Sequence, residues 1–140
     1  MNEGLSEKVT TVELGNLQLA EIKELLRAEV FSCEDKLDMP VKACAASDLM
    51  SDMLTGQNSG VVLLTGLCNV QAIRTSIIAD VAAVILVRGK RPTQEIIIQA
   101  REHGLPLMST PFTMFTSCGR LFSKGLRGVE VKRPSPTRQP

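Results

Sequence analysis

Polar and glycine-containing turns follow four apolar segments of this 140-residue chain, and they hold the residues best suited to bind a ligand. In chain order the turns are Ser47-Asp48, Thr65-Gly66-Leu67-Cys68-Asn69, Arg88-Gly89-Lys90-Arg91 and Ser109-Thr110-Pro111. Where such a turn leads into a helix, the free N–H groups and the positive end of the helix dipole favour an anion. Glycine lets the backbone approach a ligand closely, and cations add charge. The turns therefore predict a site for a phosphate or a carboxylate.

The same turns also have a purely structural interpretation, which stays open. Ser47, Asn69 and Thr110 are good helix caps, and an α/β domain needs such residues at the starts of its helices for stability alone. Capping does not require three cations in one turn, which slightly favours a ligand site. The candidate ligand-binding residues are Ser47, Asp48, Thr65, Gly66, Asn69, Arg88, Gly89, Lys90, Ser109 and Thr110.

The motifs of several enzyme chemistries are absent from the sequence. It contains no G-x-x-x-x-G-K-[ST] phosphate loop, no G-x-G-x-x-G dinucleotide motif and no G-x-S-x-G nucleophile turn. His103 is the single histidine, and we expect it at a helix end, across the sheet from the polar turns. Cys68 has no imidazole near it, which favours a bystander role for its thiol. We therefore predict no catalytic residues, and an enzyme that uses Asp48 or Cys68 is the third hypothesis.

Composition and charge disfavour further classes of protein. The four cysteines are far apart, so the sequence predicts no metal site, and no cofactor motif is present. The formal net charge is only +1 and the only aromatic residues are four Phe, which disfavours nucleic-acid binding. No apolar run reaches the roughly 18 residues of a membrane span, and we expect no secretory signal. The prediction is a cytoplasmic protein with reduced cysteines and no membrane association.

Apolar segments that alternate with helical patterns must position the polar turns. Residues 61–65 and 82–87 are continuously apolar up to their ends, which is typical of strands buried on both faces. Further strands are expected at residues 29–33, 41–46 and 106–109, and helices from about residues 17, 47, 69, 92 and 110. We predict an α/β fold with a mostly parallel sheet of four or five strands and crossover helices, in a Rossmann-like three-layer arrangement. The turns would then meet at the carboxyl edge of the sheet.

The chain length suits one domain with short additions at both ends. Residues 1–16 are polar, and we expect a flexible lead-in with a short extended piece at residues 9–14. Residues 17–126 are predicted to form the single α/β domain. Residues 127–140 are basic and rich in proline, which predicts a disordered tail.

Five stretches between residues 41 and 125 resemble small stand-alone DRTGG-domain proteins. They read AASDLMSD (45–52), LTGL (64–67), AD (79–80), VRGKRP (87–92) and STPFTMF (109–115). That domain is similar to the N-terminal domain of HPr kinase/phosphorylase and to the regulatory insert of CBS-domain pyrophosphatases. The Asp-Arg-Thr-Gly-Gly pentapeptide itself is absent, and the corresponding turn is Thr65-Gly66-Leu67-Cys68-Asn69. The resemblance implies a non-catalytic α/β module that dimerises and binds adenine nucleotides next to the dimer interface.

The residues and the resemblance together predict a non-enzymatic regulatory module that binds a phosphorylated small molecule, such as an adenine nucleotide. The resemblance implies a homodimer and a protein partner. The alternative is a protein-interaction or scaffold subunit without a small-molecule ligand, and for stand-alone members the resemblance implies a role beside iron-only hydrogenase systems. Four apolar residues near the C-terminus support this alternative because they cannot all face one core: Phe112, Met114, Phe115 and Phe122.

Overall fold

The computed structural model describes residues 17–54 and 58–129. The predicted lead-in with its extended piece, and the tail from residue 130 onwards, lie outside these residues. The elements in chain order are β1 (Leu17–Gln18), α1 (Leu19–Leu26), β2 (Glu29–Ser32), a 3₁₀ helix (Glu34–Lys36), β3 (Pro40–Val41), β4 (Ala43–Ala46), a second 3₁₀ helix (Met50–Leu54), β5 (Val61–Thr65), α2 (Val70–Ala79), β6 (Ala83–Leu86), α3 (Gln94–Glu102), β7 (Leu107–Ser109) and α4 (Met114–Ser123).

A five-stranded sheet in the order β2-β7-β6-β5-β4 forms the centre of the described residues. Strands β4, β5, β6 and β7 are parallel to one another, and β2 lies antiparallel to β7 at one edge. Every residue of β5 and β6 is buried, because helices cover both faces of the sheet. The predicted mostly parallel sheet is confirmed.

Two apolar cores lie on opposite faces of the sheet. One core joins α1 and α4 to the sheet, through residues such as Ile22 and Leu121. The other core joins α2 and α3 to the opposite face, through Ile73 and Ile96. This is the predicted three-layer arrangement. Because α2, α3 and α4 each follow a parallel strand, their N-termini all start from the carboxyl edge of the sheet.

Two predicted helix starts are wrong. The segment after β4 forms only the short 3₁₀ helix, so no α-helix begins at Ser47. The last helix begins at Met114 with Thr113 as its N-cap, three residues after the expected Thr110. In the described residues, no helix is long and apolar enough to cross a membrane.

The segment after α4 returns to the sheet at the outer side of β4. The Cys44 N–H donates to Arg127 O and the Val129 N–H donates to Cys44 O, both at 3.0 Å. These bonds form a parallel bridge between Cys44 and Gly128. The composition predicts that residues 127–129 belong to the disordered tail, whereas the structure places them beside β4.

Candidate anion site at the carboxyl edge

The carboxyl edge of the sheet brings three of the predicted residues into one place. Gly66 follows β5, and a methyl group added to it would lie 3.5 Å from Asp48 Oδ2 and 3.8 Å from Arg88 Nη2. Asp48 comes from the turn after β4 and Arg88 from the turn after β6. The glycine therefore lies between a carboxylate and a guanidinium group that neighbouring strands deliver.

The Asp48 carboxylate is fixed by the turn that follows β5. Its Oδ1 atom accepts hydrogen bonds from the Gly66 N–H at 2.7 Å and from the Thr65 hydroxyl at 2.9 Å. These two bonds, followed by the positive charges of Arg88 and Lys90, hold the pKa of Asp48 below its usual value. Asp48 is therefore ionised at neutral pH. Its carboxylate accepts the hydrogen bond of the Gly66 N–H, which the sequence predicted to bind a ligand.

The turn after β6 exposes one cation and uses its backbone donors internally. Arg88 and Gly89 both have positive φ, of 64° and 67°. The Arg88 N–H donates to Phe112 O at 2.7 Å and the Gly89 N–H to Thr110 O at 2.8 Å. Gly89 therefore shapes the turn and does not present its N–H to a ligand, and its predicted contact with a ligand stays a prediction. The side chain of Arg88 is exposed.

The cations of this turn differ in their surroundings. Arg91 forms an ion pair with Glu29 at 3.0 Å, and its guanidinium lies 5.3 Å from the centre of the Phe31 ring. Arg91 is therefore tied to strand β2. Among residues 17–54 and 58–129, Arg88 and Lys90 form no ion pair within 4.0 Å. These two cations are available to an anion at the edge.

Three of the predicted serine and threonine contacts serve the fold. Thr110 is fully buried and donates to Leu26 O at 2.6 Å, so its predicted role at a helix N-terminus is wrong. Ser109 is buried and donates to Lys90 O, which fixes the turn after β6. The Ser47 hydroxyl accepts from the Leu49 N–H at 2.8 Å in a local turn.

The start of α2 follows the capping interpretation. Asn69 accepts from the Ala72 N–H at 2.7 Å through its side chain and so caps the helix. Cys68 precedes it, and its thiol contacts Arg91 O at 3.6 Å. Partial burial raises the pKa of Cys68, and the charge of Lys90 opposes this rise only in part. The thiol is therefore not activated as a nucleophile.

An aromatic ring with two arginines near it lies beside the same edge; the sequence predicted only an interaction role for this residue, Phe112. The guanidinium groups of Arg120 and Arg27 lie 4.2 and 5.7 Å from the centre of the Phe112 ring. Phe112 O is also the acceptor for the Arg88 N–H. Arg27 lies 85 positions before Phe112, so no local sequence pattern indicates the contact between these two residues. It adds positive charge next to the candidate site.

The predicted histidine lies away from this site. His103 ends α3 at the amino edge of the sheet, where it borders a groove together with Gly60 and Gly104. This is the placement that topology predicted for the histidine. In the part of the chain that the structure describes, no group of three or more His, Cys, Asp or Glu residues could hold a metal ion.

Comparison with known proteins supports the fold. No protein-family model matches the sequence, and no curated protein matches it. The structure is similar to that of the CBS and DRTGG domains from the regulatory region of Clostridium perfringens pyrophosphatase, which was solved with its activator diadenosine tetraphosphate. The TM-score is 0.66 and the identity 19%, over 84% of this chain and 49% of that chain. This chain thus spans about half of the matched structure, and the expected DRTGG-like fold is confirmed.

Proposed function

We propose that this protein is a cytoplasmic, non-enzymatic regulatory module that binds a phosphorylated small molecule, specifically an adenine nucleotide, at the carboxyl edge of its sheet. The observation that supports this best is the position of Gly66 between Asp48 and Arg88: a methyl group added to Gly66 would lie within 4 Å of a side-chain atom of each. The fixed carboxylate of Asp48 and the available guanidinium of Arg88 suit a ligand that has both an anionic group and hydrogen-bond donors.

The cations account for the phosphorylated part of the ligand. Arg88 and Lys90 stand on one turn, and charge-assisted hydrogen bonds from such side chains to phosphate oxygens are roughly twice as strong as neutral ones. The regulatory region with a similar fold binds a dinucleoside polyphosphate activator. That similarity supports the same ligand class here by analogy of fold.

The carboxylate accounts for the nucleoside part. Asp48 uses Oδ1 to accept from Gly66 and Thr65, which leaves Oδ2 facing the space beside the glycine. In dinucleotide-binding α/β folds, a carboxylate at this edge accepts hydrogen bonds from ribose hydroxyls. Inorganic phosphate has no ribose hydroxyls, and at neutral pH it can donate only through its own P–OH protons. The pairing of Asp48 with Arg88 therefore favours a nucleotide over a free phosphate.

Calorimetric and thermal-shift titrations with AMP, ADP, ATP and diadenosine tetraphosphate test this proposal, with adenosine and pyrophosphate as partial ligands. A ligand at 100 times its Kd should stabilise the protein by about 2.7 kcal/mol. The double variant Arg88→Gln, Lys90→Gln should lose this shift. Arg74→Gln, an exposed arginine on α2, is the control and should keep it. If none of the compounds shifts the unfolding transition, the proposal is wrong.

The second candidate function is protein interaction, with a homodimer as its simplest form. Phe115 and Phe122 on α4 are 87% and 59% exposed, seven residues apart on one side of the helix. Gly119 lies between them, and a methyl group added to it would meet nothing within 4 Å. The inner side of α4 packs through Leu121, so the predicted conflict among the phenylalanines resolves as an exposed apolar stripe.

Mass measurement in solution tests this second function. Wild-type protein should be a dimer, and Phe115→Asp should be a monomer that stays folded because the replaced side chain is almost fully exposed. Ile98→Asp is the matched control, since Ile98 is 51% exposed on α3 at the opposite face. A monomeric wild type that also captures no partner through Phe115 removes this candidate.

A further inference from the structure

The C-terminal end of α1 is fixed to the carboxyl edge of the sheet. The buried Thr110 hydroxyl donates to Leu26 O at 2.6 Å, which joins the last residue of α1 to the turn after β7. Arg27 follows as the C-cap with a φ of 50°, and β2 begins two residues later. Strand β2 runs antiparallel to β7, so β2 also starts from this edge. Arg27 therefore lies at the same edge of the sheet as Arg88.

The half-buried ring of Phe112 has two guanidinium groups near it. Those of Arg120 and Arg27 lie 4.2 and 5.7 Å from the ring centre, distances at which the face of an aromatic ring attracts a cation. Phe112 O accepts from the Arg88 N–H at 2.7 Å, so the same residue also fixes the turn that carries Arg88 and Lys90. Phe112 thus brings two further arginines next to the two cations of the candidate anion site.

The side chain of Arg27 keeps its hydrogen-bond donors available. It is exposed, and within residues 17–54 and 58–129 it forms no ion pair and no hydrogen bond. Glu24, one turn earlier on α1, pairs with Lys23 at 3.8 Å. Arg120 is held more firmly, because its Nη1 donates to Leu25 O at 3.2 Å. A guanidinium carries five N–H donors, and contact with a ring face uses none of them, so both arginines can donate to an anion.

The charged groups at this edge follow the order of the strands. Asp48 comes from the turn after β4, Arg88 from the turn after β6 and Phe112 from the turn after β7. Strands β4 and β7 are three strand spacings apart, which is about 14 Å. A carboxylate therefore lies at one end of this row, Arg88 lies inside it, and the arginines beside Phe112 lie at the other end. This order suits a ligand with hydrogen-bond donors at one end and a chain of anionic groups towards the other.

We infer that the arginines beside Phe112, Arg27 and Arg120, form a second subsite of the anion site, which therefore binds a chain of two or more phosphate groups rather than one. This inference rests on the proposed function and deepens it. The nucleoside lies at Asp48, the first phosphate at Arg88 and the outer phosphates at Arg27. Guanidinium groups suit this role because their paired N–H donors match the oxygens of a phosphate group.

A purely structural role of Arg27 leads to a different expectation. Its charge at the C-terminal end of α1 offsets the negative end of that helix's dipole, which stabilises the fold with or without a ligand. Loss of that stabilisation would not change the preference of the folded protein for a longer phosphate chain. The ratio of the affinities for ATP and AMP therefore separates the two roles.

Calorimetric titration of AMP and ATP into the full chain tests the subsite. The wild type should bind ATP more tightly than AMP by about tenfold or more. Arg27→Gln should weaken ATP binding about tenfold and AMP binding less than about twofold, because a charge-assisted hydrogen bond to an outer phosphate is lost. Arg127→Gln is the matched control, since its guanidinium lies 4.1 Å from the centre of the Phe122 ring, at the other end of α4. It should change both affinities less than about twofold.

Equal affinities of the wild type for AMP and ATP, or equal effects of Arg27→Gln and Arg127→Gln, would overturn the inference while the proposed function stands. Titration with tripolyphosphate and with inorganic phosphate covers the opposite case. If no adenine nucleotide binds, but tripolyphosphate binds more tightly than phosphate and this preference requires Arg27, the nucleotide proposal fails and the subsite stands. If none of these compounds binds, both proposals are wrong.

Discussion

Basic residues have different surroundings at the amino edge and at the carboxyl edge of the sheet. At the amino edge, the Lys36 ammonium donates to Gly104 O at 2.9 Å, and the stem of Lys42 lies against Gly60. At the carboxyl edge, Arg88 and Lys90 project from a turn without an ion pair among the described residues. The amino edge thus uses Lys36 and Lys42 to stabilise turns, whereas the carboxyl edge pairs Arg91 with Glu29 and keeps Arg88 and Lys90 available.

The amino edge has a groove, but its charges suit an anion less well than those of the carboxyl edge. A groove of about 610 Å³ opens at the amino edge and is lined by Lys36, Lys42 and His103, among others. Helices α2 and α3 end there, so their negative dipole ends face the groove and oppose an anionic ligand. The carboxyl edge receives the N-termini of α2, α3 and α4 and the cations Arg88 and Lys90. Charge and topology therefore favour the carboxyl edge for an anion.

The largest difference between the two edges is expected in the free energy of unfolding when Gly104 and Gly89, which share a φ of 67°, are each replaced by alanine. Gly104→Ala should cost about 2 kcal/mol, because a left-handed alanine is strained and its methyl group would lie 2.9 Å from Lys36 Nζ. Gly89→Ala should cost only about 1 kcal/mol, since the added methyl group meets nothing within 4 Å. Urea unfolding measures both variants, and equal losses would contradict the distinction between the edges.

A smaller loss is expected from Asp48→Asn, about 1 kcal/mol at pH 7, since the bonds from Gly66 and Thr65 lose their ionised acceptor. The pKa of Asp48 is lowered by folding, so its stabilisation is complete above the unfolded pKa of about 3.9. It is lost as the pH falls through the lower folded pKa. Unfolding curves from pH 7 to pH 2 should show the difference between variant and wild type shrinking in acid. A difference that stays constant would show that the charge of Asp48 is not involved.

The smallest change is a gain in stability from Arg88→Asn. Asparagine tolerates the left-handed conformation that Arg88 adopts at φ 64°, so the variant should be about 0.5 kcal/mol more stable. The same variant should bind nucleotide more weakly because a cation is lost. Thermal unfolding measures the gain in stability, and calorimetry measures the loss of nucleotide affinity. A loss of stability would instead assign the Arg88 side chain a structural role.

Local patterns predicted the central strands and their direction well. The continuous apolar runs in β5 and β6 could only be strands with both faces covered, and the alternation with helices implied parallel neighbours. The order of the sheet was not predicted, because it depends on which strands meet across long connections. The antiparallel pairing of β2 with β7 joins Glu29 to Ser109, 80 positions apart.

Predictions for the site failed where a distant partner decides the role of a residue. Thr110 followed by proline resembles a helix start, yet its hydroxyl is taken by Leu26 O from α1, and Thr113 caps the helix instead. Asp48 occupies the Gly66 N–H from 18 positions away. Both contacts depend on tertiary packing. The prediction that Gly66 and Arg88 share one edge needed only the parallel topology, and the structure places them together.

We propose that the carboxyl edge, and not the groove at the amino edge, binds the ligand. Calorimetric titration of ATP into two double variants tests it most directly: Arg88→Gln, Lys90→Gln at the carboxyl edge and Lys36→Gln, Lys42→Gln at the amino edge. Both remove two positive charges, so they change the net charge equally. Only the carboxyl-edge variant should lose affinity, by at least tenfold. Loss of affinity only in the amino-edge variant, or equal loss in both, would contradict it.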